Sequence, residues 1–531
     1  MPDDGKELMT GGVYCAVYDF GLFPYALGDV LTWNVQTAIR SEELGREQVD
    51  TYICVDGHQP PNIFQRDLIT ADNCELFFNE VFGAFGTHPR PGNVFLYRRR
   101  DEMVERLREA CRGDAANSED LADYERALAD YQRALTTRGD GPTLMMEYFI
   151  KSIHSHERIN AYAEAHGGIP LLRASMGCEP DVAGLLTKRF AGNRIVAIQM
   201  RLRRLDAGYS AENTYWRDSD FLEWYEFLKE AGKTHPDVQF VAMGRLQEKP
   251  LELLRLPNVM SLRTLGLGLG HELSLLLRSD LFIGTSSGFA AMANFSEVPY
   301  FITKMNAGAC RAFAIAPGSE RLPFAGERQI LVYEAETREL LMQLFERGLQ
   351  GVPPRSGTSP PSSDGVIDAR SWDWEQSRWL QPGANTNRFF IDDCYSDKET
   401  AFLVWPRVKE ASAALRKGLK DRAWTILDRI ETNFPRMCKR FPEFLRLRAK
   451  LAVERNEWKI LASCEANLKK LTVQGKRFAR FSAILKQRWH WTYSIRRHVW
   501  KRLIHIWERK HRILGKLVKI LTRPAPRRSG T

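Results

Sequence analysis

Short apolar runs alternate with amphipathic segments along the first part of the chain. Val13–Tyr18 and Thr51–Asp56 are runs of the β type, and the segment between them has helical spacing as far as about Leu44. A strand, a helix and a second strand within this length predict a βαβ unit, in which the two strands are parallel. The charged stretch from about 101 to 138 carries Leu, Ala and Tyr at three- and four-residue steps, which predicts a pair of helices.

A second series of the same kind follows, after expected helices at 145–166 and 180–189. Its apolar runs are short and rich in Val, Ile and Phe, and helical segments separate them. The runs are 194–200, 238–243, 259–262, 281–283 and 300–303, with helices expected near 218–232 and 271–279. Buried strands alternating with helices predict a doubly wound parallel sheet. The fold class is therefore α/β, with two Rossmann-like domains.

The composition and hydrophobic spacing of the chain change twice in the remaining residues. A segment rich in Pro, Ser and Gly comes first, then helical spacing near 407–417, 420–432, 441–453 and 457–471. These helices form either hairpins of the tetratricopeptide type or a small bundle. We expect a first Rossmann-like domain with a helical insertion at 1–170 and a second Rossmann-like domain at 171–350. A linker at 351–395, a helical (TPR-like) domain at 396–474 and a basic tail at 475–531 follow.

Composition narrows the class of protein. The 531 residues exceed what one hydrophobic core organises, and 44% hydrophobic with 27% charged residues is typical of a folded protein. There is no apolar run long enough for a transmembrane helix and no secretory signal at the N-terminus, so we expect a cytoplasmic location. The nine cysteines are scattered without a CxxC pair, which indicates reduced thiols rather than a disulfide framework or a zinc site.

The positive charge is concentrated at the C-terminus. From Lys476 onward 17 basic residues face one acid, a net charge of +16 in a chain of +10, so the preceding residues carry −6. Between 476 and 521, tryptophans and aliphatic residues recur at steps of three, four and seven among Lys and Arg. This pattern predicts an amphipathic helix on an anionic membrane surface, peripheral to the inner face. Packing on the helical domain is the second alternative and nucleic acid binding the third.

A turn of small residues gives the strongest local chemical signal. Gly284-Thr285-Ser286-Ser287-Gly288 follows a predicted strand and precedes a helical segment. Glycines let the backbone approach a ligand, and hydroxyls with free N–H groups at a helix start bind phosphate oxygens. Such a turn also serves simply to cap the helix. Both interpretations remain open from the turn alone.

The surrounding residues resemble a known family. The stretch from Glu272 through the Gly284–Gly288 turn to Pro299 is similar to the nucleotide-binding half of GT-B glycosyltransferases, above all heptosyltransferase-like and O-fucosyltransferase-like enzymes, over roughly 190–310. Gly28-Asp29 matches the G-D turn of heptosyltransferase-like proteins, and this resemblance implies that Asp29 is the base that deprotonates the acceptor hydroxyl. An N-cap role for Asp29 is the alternative. The aromatic loop before it, Phe20–Tyr25, departs from that family's pattern.

Basic residues follow three of the predicted strands. Arg201 and Arg203 come directly after 194–200, where arginines can neutralise a departing diphosphate. The O-fucosyltransferase-like pattern has a histidine before its arginine, whereas Gln199 stands here. Further candidate contacts for the nucleotide sugar are Gly244, Arg245, Lys304 and Arg217. For these residues and for Arg201 and Arg203, a position on the solvated surface is the alternative.

The sequence thus predicts a metal-independent GT-B glycosyltransferase without a cofactor. It would move a sugar from a nucleotide sugar to a hydroxyl of a glycan or lipid-linked acceptor. A non-catalytic membrane-associated scaffold and a nucleotide-sugar epimerase are the alternatives. The run from Gly266 to Gly270 is interpreted as a flexible loop rather than a dinucleotide fingerprint.

Overall fold

The computed structural model divides the chain between Pro406 and Arg407 into two compact units. Among the residues it describes, no helix is both long and apolar enough to cross a membrane. The described residues are 12–56, 65, 69, 74–136, 143–154, 156–202, 217–355, 397–468 and 470–471.

The first unit begins with a three-stranded parallel sheet in the order β1-β2-β3. Its elements are β1 (Val13–Asp19), α1 (Leu27–Glu43), β2 (Gln48–Cys54), α2 (Cys74–Phe82), β3 (Pro91–Tyr97), α3 (Arg100–Ala110), α4 (Ala115–Thr136), α5 (Thr143–Phe149) and α6 (His156–His166). The predicted βαβ unit and the helical pair are confirmed. Strand β3 was not predicted, because its apolar run, Val94–Tyr97, is short and follows Pro91 and Gly92, and its residues are exposed or half-buried.

A side chain from α4 covers the outer edge of β1. The Cys15 N–H donates to Asn117 Oδ1 at 3.0 Å, and Asn117 Nδ2 donates to the Val13 carbonyl at 2.9 Å. Asn117 therefore makes the two hydrogen bonds that a neighbouring strand would make. As far as the structure describes the chain, the first sheet is half of a doubly wound sheet rather than a complete one.

The second sheet has six parallel strands in the order β6-β5-β4-β7-β8-β9. Its elements are α7 (Glu179–Lys188), β4 (Arg194–Gln199), α8 (Phe221–Thr234), β5 (Val238–Ala242), α9 (Leu251–Leu254), β6 (Val259–Met260), α10 (Leu269–Leu277), β7 (Leu281–Thr285), α11 (Gly288–Asn294), β8 (Tyr300–Thr303), α12 (Ala307–Ala312), β9 (Gln329–Leu331) and α13 (Arg338–Leu349). Numbered along the chain, the strands lie in the order 3-2-1-4-5-6, the doubly wound arrangement that was predicted.

Both faces of the central strands are covered. Ile195–Ile198 in β4 and Leu281–Ile283 in β7 are fully buried. Parallel strands with helices on both faces are continuously apolar, which is why the sequence revealed them. Strand β9 escaped prediction because it has only three residues and begins with the polar Gln329.

Glycines allow helices that accompany the first sheet to pack closely against helices that accompany the second sheet. A Cβ on Gly28, at the start of α1, would lie 3.5 Å from the Gly288 Cα at the start of α11. A Cβ on Gly83, after α2, would lie 2.7 Å from the Gly270 backbone nitrogen in α10. Leu269 and Gly270 are the first residues of α10, so the interpretation of the run from Gly266 to Gly270 as a loop was wrong for these two residues. Gly266, Leu267 and Gly268 lie outside helices and strands.

Replacing Gly83 by Ala should destabilise the protein by about 1–3 kcal/mol, since the new methyl group meets backbone rather than a movable side chain. Gly184→Ala is the matched control: nothing lies within 4 Å of its Cβ, and it is inside α7. Its helix propensity predicts a neutral or slightly stabilising effect. Chemical denaturation of both variants measures the difference, and equal stabilities would show that the Gly83 contact is not tight.

The second unit contains helices where the sequence predicted them. This unit begins at Arg407, within α14 (Asp397–Arg416), and contains α15 (Lys420–Asn433), α16 (Pro435–Cys438) and α17 (Pro442–Glu454). Arg448 lies 4.0 Å over the Trp424 ring and pairs with Asp428 at 2.8 Å. The tetratricopeptide assignment stays a prediction, and the basic tail at 476–521 lies outside the described residues.

Candidate functional site

Apart from Asp29, which lies in α1, the predicted site residues that the structure describes lie at the carboxyl edge of the second sheet. Gln199 pairs with Gly284 across β4 and β7, and Thr285 pairs with Thr303 across β7 and β8. The loops after these three strands are therefore neighbours. The order of the strands reverses between β4 and β7, and ligands of doubly wound sheets bind at that switch point.

The small-residue turn is built into the end of β7. Thr285 is the last strand residue and is fully buried, and Ser287 caps α11 by accepting the Ala290 N–H on its Oγ at 3.3 Å. The Ser287 hydroxyl hydrogen can still be donated to another group. A Cβ on Gly284 would lie 2.8 Å from the Gln199 carbonyl oxygen, and one on Gly288 would lie 2.7 Å from the Leu27 Cβ. Both glycines are thus required for packing.

Asp29 lies opposite this turn, in the first turn of α1. Ala26 is the N-cap of that helix, so the alternative of Asp29 as N-cap was wrong. The residue is half-buried, yet protein surrounds the carboxyl group closely enough that desolvation raises its pKa to about 7, against the opposing effect of Arg217. A carboxyl group whose pKa is raised towards neutrality can serve as a general base.

Arg217 connects Asp29 with the turn. Its Nη1 donates to the Ser286 carbonyl at 3.4 Å, and its charge acts on the Asp29 carboxyl. The sequence had placed these three residues in separate motifs. The structure brings them together, because the N-terminal ends of α1 and α11 face each other.

Arg201 and Lys304 hold the segment that carries Arg217. Arg201 Nε lies 3.8 Å from Asp218 Oδ1, and Lys304 Nζ donates to the Asp218 carbonyl. Lys304 has a φ of 58°, in the left-handed region that costs energy for a residue with a Cβ. Three cationic side chains therefore surround the switch point. Arg203, which was also predicted to bind the diphosphate, lies outside the described residues.

The loop after β5 contacts α2, a helix that accompanies the first sheet. Gly244 has a φ of 103°, which favours glycine, and Arg245 extends to Glu80 of α2, with Nε 3.3 Å from Oε2. The Arg245 guanidinium also lies 6.0 Å from the centre of the Phe77 ring. Arg245 therefore connects the loop after β5 with α2 at the rim of the site.

Sequence reasoning assigned no role to the buried ion pair that holds this loop. Glu272 in α10 is fully buried; its Oε1 accepts the Gly244 N–H at 3.1 Å, and its Oε2 lies 2.9 Å from Arg263 Nε. Burial raises the pKa of Glu272, although Arg263 and Lys249 act in the opposite direction. A single acid within an apolar helical run was the available signal, since such a residue needs a buried partner.

A comparable acid lies under β8. Glu336 is buried, and Thr303 Oγ1 donates to its Oε1 at 2.7 Å, while the Asp220 N–H donates to its Oε2 at 3.0 Å. Burial raises its pKa. Glu336 therefore links the end of β8 to the segment that precedes α8. The sequence offered no signal for it, because it lies far from the other site residues along the chain.

Comparisons with known proteins give fold-level likenesses. No protein-family model and no curated protein matches the sequence. Among solved structures, the ADP-heptose LPS heptosyltransferase II of E. coli is 10% identical with a TM-score of 0.38, covering 64% of this chain and 98% of that one. The E. coli heptosyltransferase WaaC with ADP is 11% identical with a TM-score of 0.33, covering 63% and 99%. A family 9 glycosyl transferase from Veillonella parvula DSM 2008 is 12% identical with a TM-score of 0.33, covering 64% and 97%.

Proposed function

We propose that the protein is a glycosyltransferase that moves a sugar from a nucleotide sugar to a hydroxyl acceptor. The observation that carries the proposal is Asp29, a half-buried carboxyl group with a pKa raised to about 7, beside Arg217 and the Ser286–Gly288 turn. Transfer of a sugar from a diphosphate needs a base that deprotonates the acceptor hydroxyl and, next to it, groups that bind the anionic leaving group. The position at the sheet's switch point supports the same assignment.

The chemistry assigns a role to each group. The Asp29 carboxylate accepts the proton of the acceptor hydroxyl as its oxygen attacks the anomeric carbon. The bond from that carbon to the donor's phosphate oxygen breaks, and its electron pair leaves with the nucleotide, which is a nucleoside diphosphate for UDP-, GDP- and ADP-sugars and CMP for a CMP-sugar. Arg201, Arg217 and the Ser287 hydroxyl stabilise the charge that develops on the diphosphate, with Lys304 keeping the Arg217 segment in place. This scheme needs neither a metal nor a cofactor.

A transfer assay tests the proposal. The protein is incubated with UDP-, GDP-, ADP- and CMP-sugars carrying a radioactive sugar, together with a glycolipid extract. We expect one donor to label the extract in proportion to released nucleotide. An epimerised sugar without an acceptor would instead support the epimerase, and nucleotide-sugar binding without any reaction would support the scaffold; either result overturns the proposal.

We further propose that the acceptor is lipid-linked and that the basic tail holds the enzyme at anionic lipid. The basis is the sequence of 476–521, in which a net positive charge accompanies tryptophans and aliphatic residues at spacings that predict an apolar helical face. Co-sedimentation with phosphatidylserine–phosphatidylcholine vesicles should fall when Lys501, Arg502, Arg509 and Lys510 are changed together to Gln. Equal sedimentation with purely phosphatidylcholine vesicles would contradict an electrostatic attachment.

A further inference from the structure

The Arg217 segment, residues 217–220, belongs to no strand and is held by contacts with residues that follow β4 and β8. The Ser219 N–H donates to the Arg201 carbonyl at 2.9 Å, and Ser219 Oγ accepts the Arg201 N–H at 3.2 Å. In addition, Lys304 Nζ donates to the Asp218 carbonyl. Because sheet pairing does not fix this segment, contacts of this kind determine where it lies.

One buried carboxylate joins the end of the Arg217 segment to two strands. Glu336 lies between β9 and α13 and is 4% exposed. Its Oε2 accepts the Asp220 N–H at 3.0 Å, and its Oε1 accepts the Thr303 hydroxyl at 2.7 Å. The Gly284 carbonyl oxygen lies 3.3 Å from the same hydroxyl. Glu336 therefore connects the Arg217 segment with the ends of β7 and β8, where the small-residue turn begins.

The position of this carboxylate is fixed by a reciprocal contact between the starts of α8 and α13. Glu336 precedes Thr337, the N-cap of α13, and accepts the N–H of Asp220, the N-cap of α8. In return, Glu223 in the first turn of α8 accepts the Arg338 N–H of α13 at 3.0 Å. The N–H groups at a helix start have no partner within their own helix, so these two contacts tie the helix starts together.

The guanidinium of Arg217 depends on its backbone segment for its location. Its hydrogen bond from Nη1 to the Ser286 carbonyl is 3.4 Å long, beyond the usual range, and constrains the group weakly. A shift of the backbone at 217–220 would therefore carry the guanidinium away from the turn.

We propose that Glu336 is a positioning residue for sugar transfer, which holds the Arg217 segment so that the Arg217 guanidinium lies beside Asp29 and the Ser286–Gly288 turn. The inference rests on the proposed function, in which Arg217 stabilises the anionic leaving group. Glu336 acts through Arg217 and not by touching the donor, since its side chain is buried and both carboxylate oxygens are bound to other residues.

Two substitutions separate the hydrogen bonds of Glu336 from its charge. Glu336→Leu removes the acceptor of the Asp220 N–H. Glu336→Gln removes the charge and can keep both contacts, because its Oε1 accepts the Asp220 N–H and its Nε2 donates to Thr303 Oγ1. The Thr303 hydroxyl hydrogen then turns to the Gly284 carbonyl. We therefore expect glutamine to replace glutamate at this position and leucine not to.

The first test is hydrogen–deuterium exchange of the full-length protein, measured by mass spectrometry on peptides that cover 217–220. Exchange there should be at least about tenfold faster in Glu336→Leu than in wild type, and unchanged in Glu336→Gln. This measurement needs no nucleotide. It therefore decides the positioning role even where wild type binds none of UDP, GDP, ADP and CMP, a result that would contradict only the proposed function.

The second test is calorimetric titration with UDP, GDP, ADP and CMP. Glu336→Leu should weaken binding of the nucleotide that wild type binds about tenfold, and Glu336→Gln should bind within about threefold of wild type. Because Glu336 acts through Arg217, the double variant Glu336→Leu, Arg217→Ala should bind no more weakly than Arg217→Ala alone. A general loss of structure would instead add to the effect of Arg217→Ala.

Gln329→Leu is the matched control. Gln329 is 5% exposed, and its side chain accepts the Gly326 N–H at 2.9 Å and donates to the Ser296 carbonyl at 2.7 Å. It begins β9, so it lies at the edge of the parallel sheet opposite to the site. We expect this variant to be destabilised as Glu336→Leu is, with unchanged nucleotide affinity and unchanged exchange at 217–220.

A milder variant covers the case in which Glu336→Leu does not fold. Glu336→Asp keeps the charge, but its shorter side chain draws the carboxylate away from the Asp220 N–H, and it replaces Glu336→Leu in both tests. Unchanged exchange at 217–220 or unchanged nucleotide affinity in the variant at Glu336 would overturn the proposal. So would an equal loss of affinity in Gln329→Leu, or additive losses in the double variant.

Discussion

Asp29→Asn is expected to lower turnover by about 10² to 10⁴-fold, because the amide cannot accept the proton of the acceptor hydroxyl. Binding of the donor should persist, since Asp29 faces the acceptor oxygen in the proposed reaction. Turnover of the wild-type protein should rise as the pH increases through about 7, where the Asp29 carboxyl loses its proton. Initial rates of sugar transfer from pH 5.5 to 8.5 measure both effects.

Asp101→Asn is the matched control for this substitution. Asp101 also lies in the first turn of a helix, α3, but it is on the surface and its ion pair with Arg99 is exposed. We expect it to leave turnover unchanged. Full activity of Asp29→Asn, or an equal loss in both variants, would remove Asp29 as the base.

Asp29 also makes stability depend on pH. Its folded pKa lies above the value of 3.8 for an unperturbed carboxyl group, so the folded state binds the proton more tightly than the unfolded one. The free energy of unfolding therefore falls as the pH rises from about 4 to 7. Above pH 7 the carboxylate is charged, and its burial lowers the free energy of unfolding by a constant amount. Asp29→Asn should raise the melting temperature at pH 8, with a smaller gain at pH 5. A lowered melting temperature at both would indicate a structural role instead.

Glu272→Leu should destabilise the protein by about 3–5 kcal/mol. It leaves the guanidinium of Arg263, which is 2% exposed, without its carboxylate partner. An arginine cannot relieve this by losing its proton. The Gly244 N–H also loses its acceptor, so the loop after β5 should loosen. Urea denaturation gives the stability change, and Glu339→Leu, which breaks an exposed ion pair, should stay within about 0.5 kcal/mol of wild type.

A double-mutant cycle separates the pair from the packing. Glu272→Leu with Arg263→Met removes both charges, so the double variant should be more stable than Glu272→Leu alone. Additive losses would mean that the two residues act independently. That outcome would contradict the role of this pair as a single buried unit beneath Gly244.

The second sheet could be predicted closely because its strands are buried on both faces. Continuous apolar runs such as Ile195–Ile198 identify the strands, whereas the register of their pairing was not predicted. The first sheet was harder. Its strand β3 is largely exposed, and its outer edge is completed by the amide of Asn117 rather than by another strand. A side chain that replaces a strand carries no periodic pattern in the sequence.

The candidate site was predictable motif by motif but not as an assembly. Gly28-Asp29 was identified through its resemblance to a family motif, and the Gly284–Gly288 turn through its strand-to-helix context. Their approach depends on glycine packing between α1 and α11, and Arg217 connects them from a third segment. The buried acids Glu272 and Glu336 act through long-range contacts, which local patterns do not reveal.

Calorimetric titration with UDP, GDP, ADP and CMP tests the central claim, that the edge of the second sheet beside Asp29 binds the nucleotide of a sugar donor. We predict that one nucleotide binds, and that Arg217→Ala weakens its binding about ten- to a hundredfold through loss of a charged hydrogen bond. Arg99→Ala, which removes an exposed arginine, is the control and should bind as wild type does. Binding of none of the four, or undiminished binding by Arg217→Ala, would contradict the account.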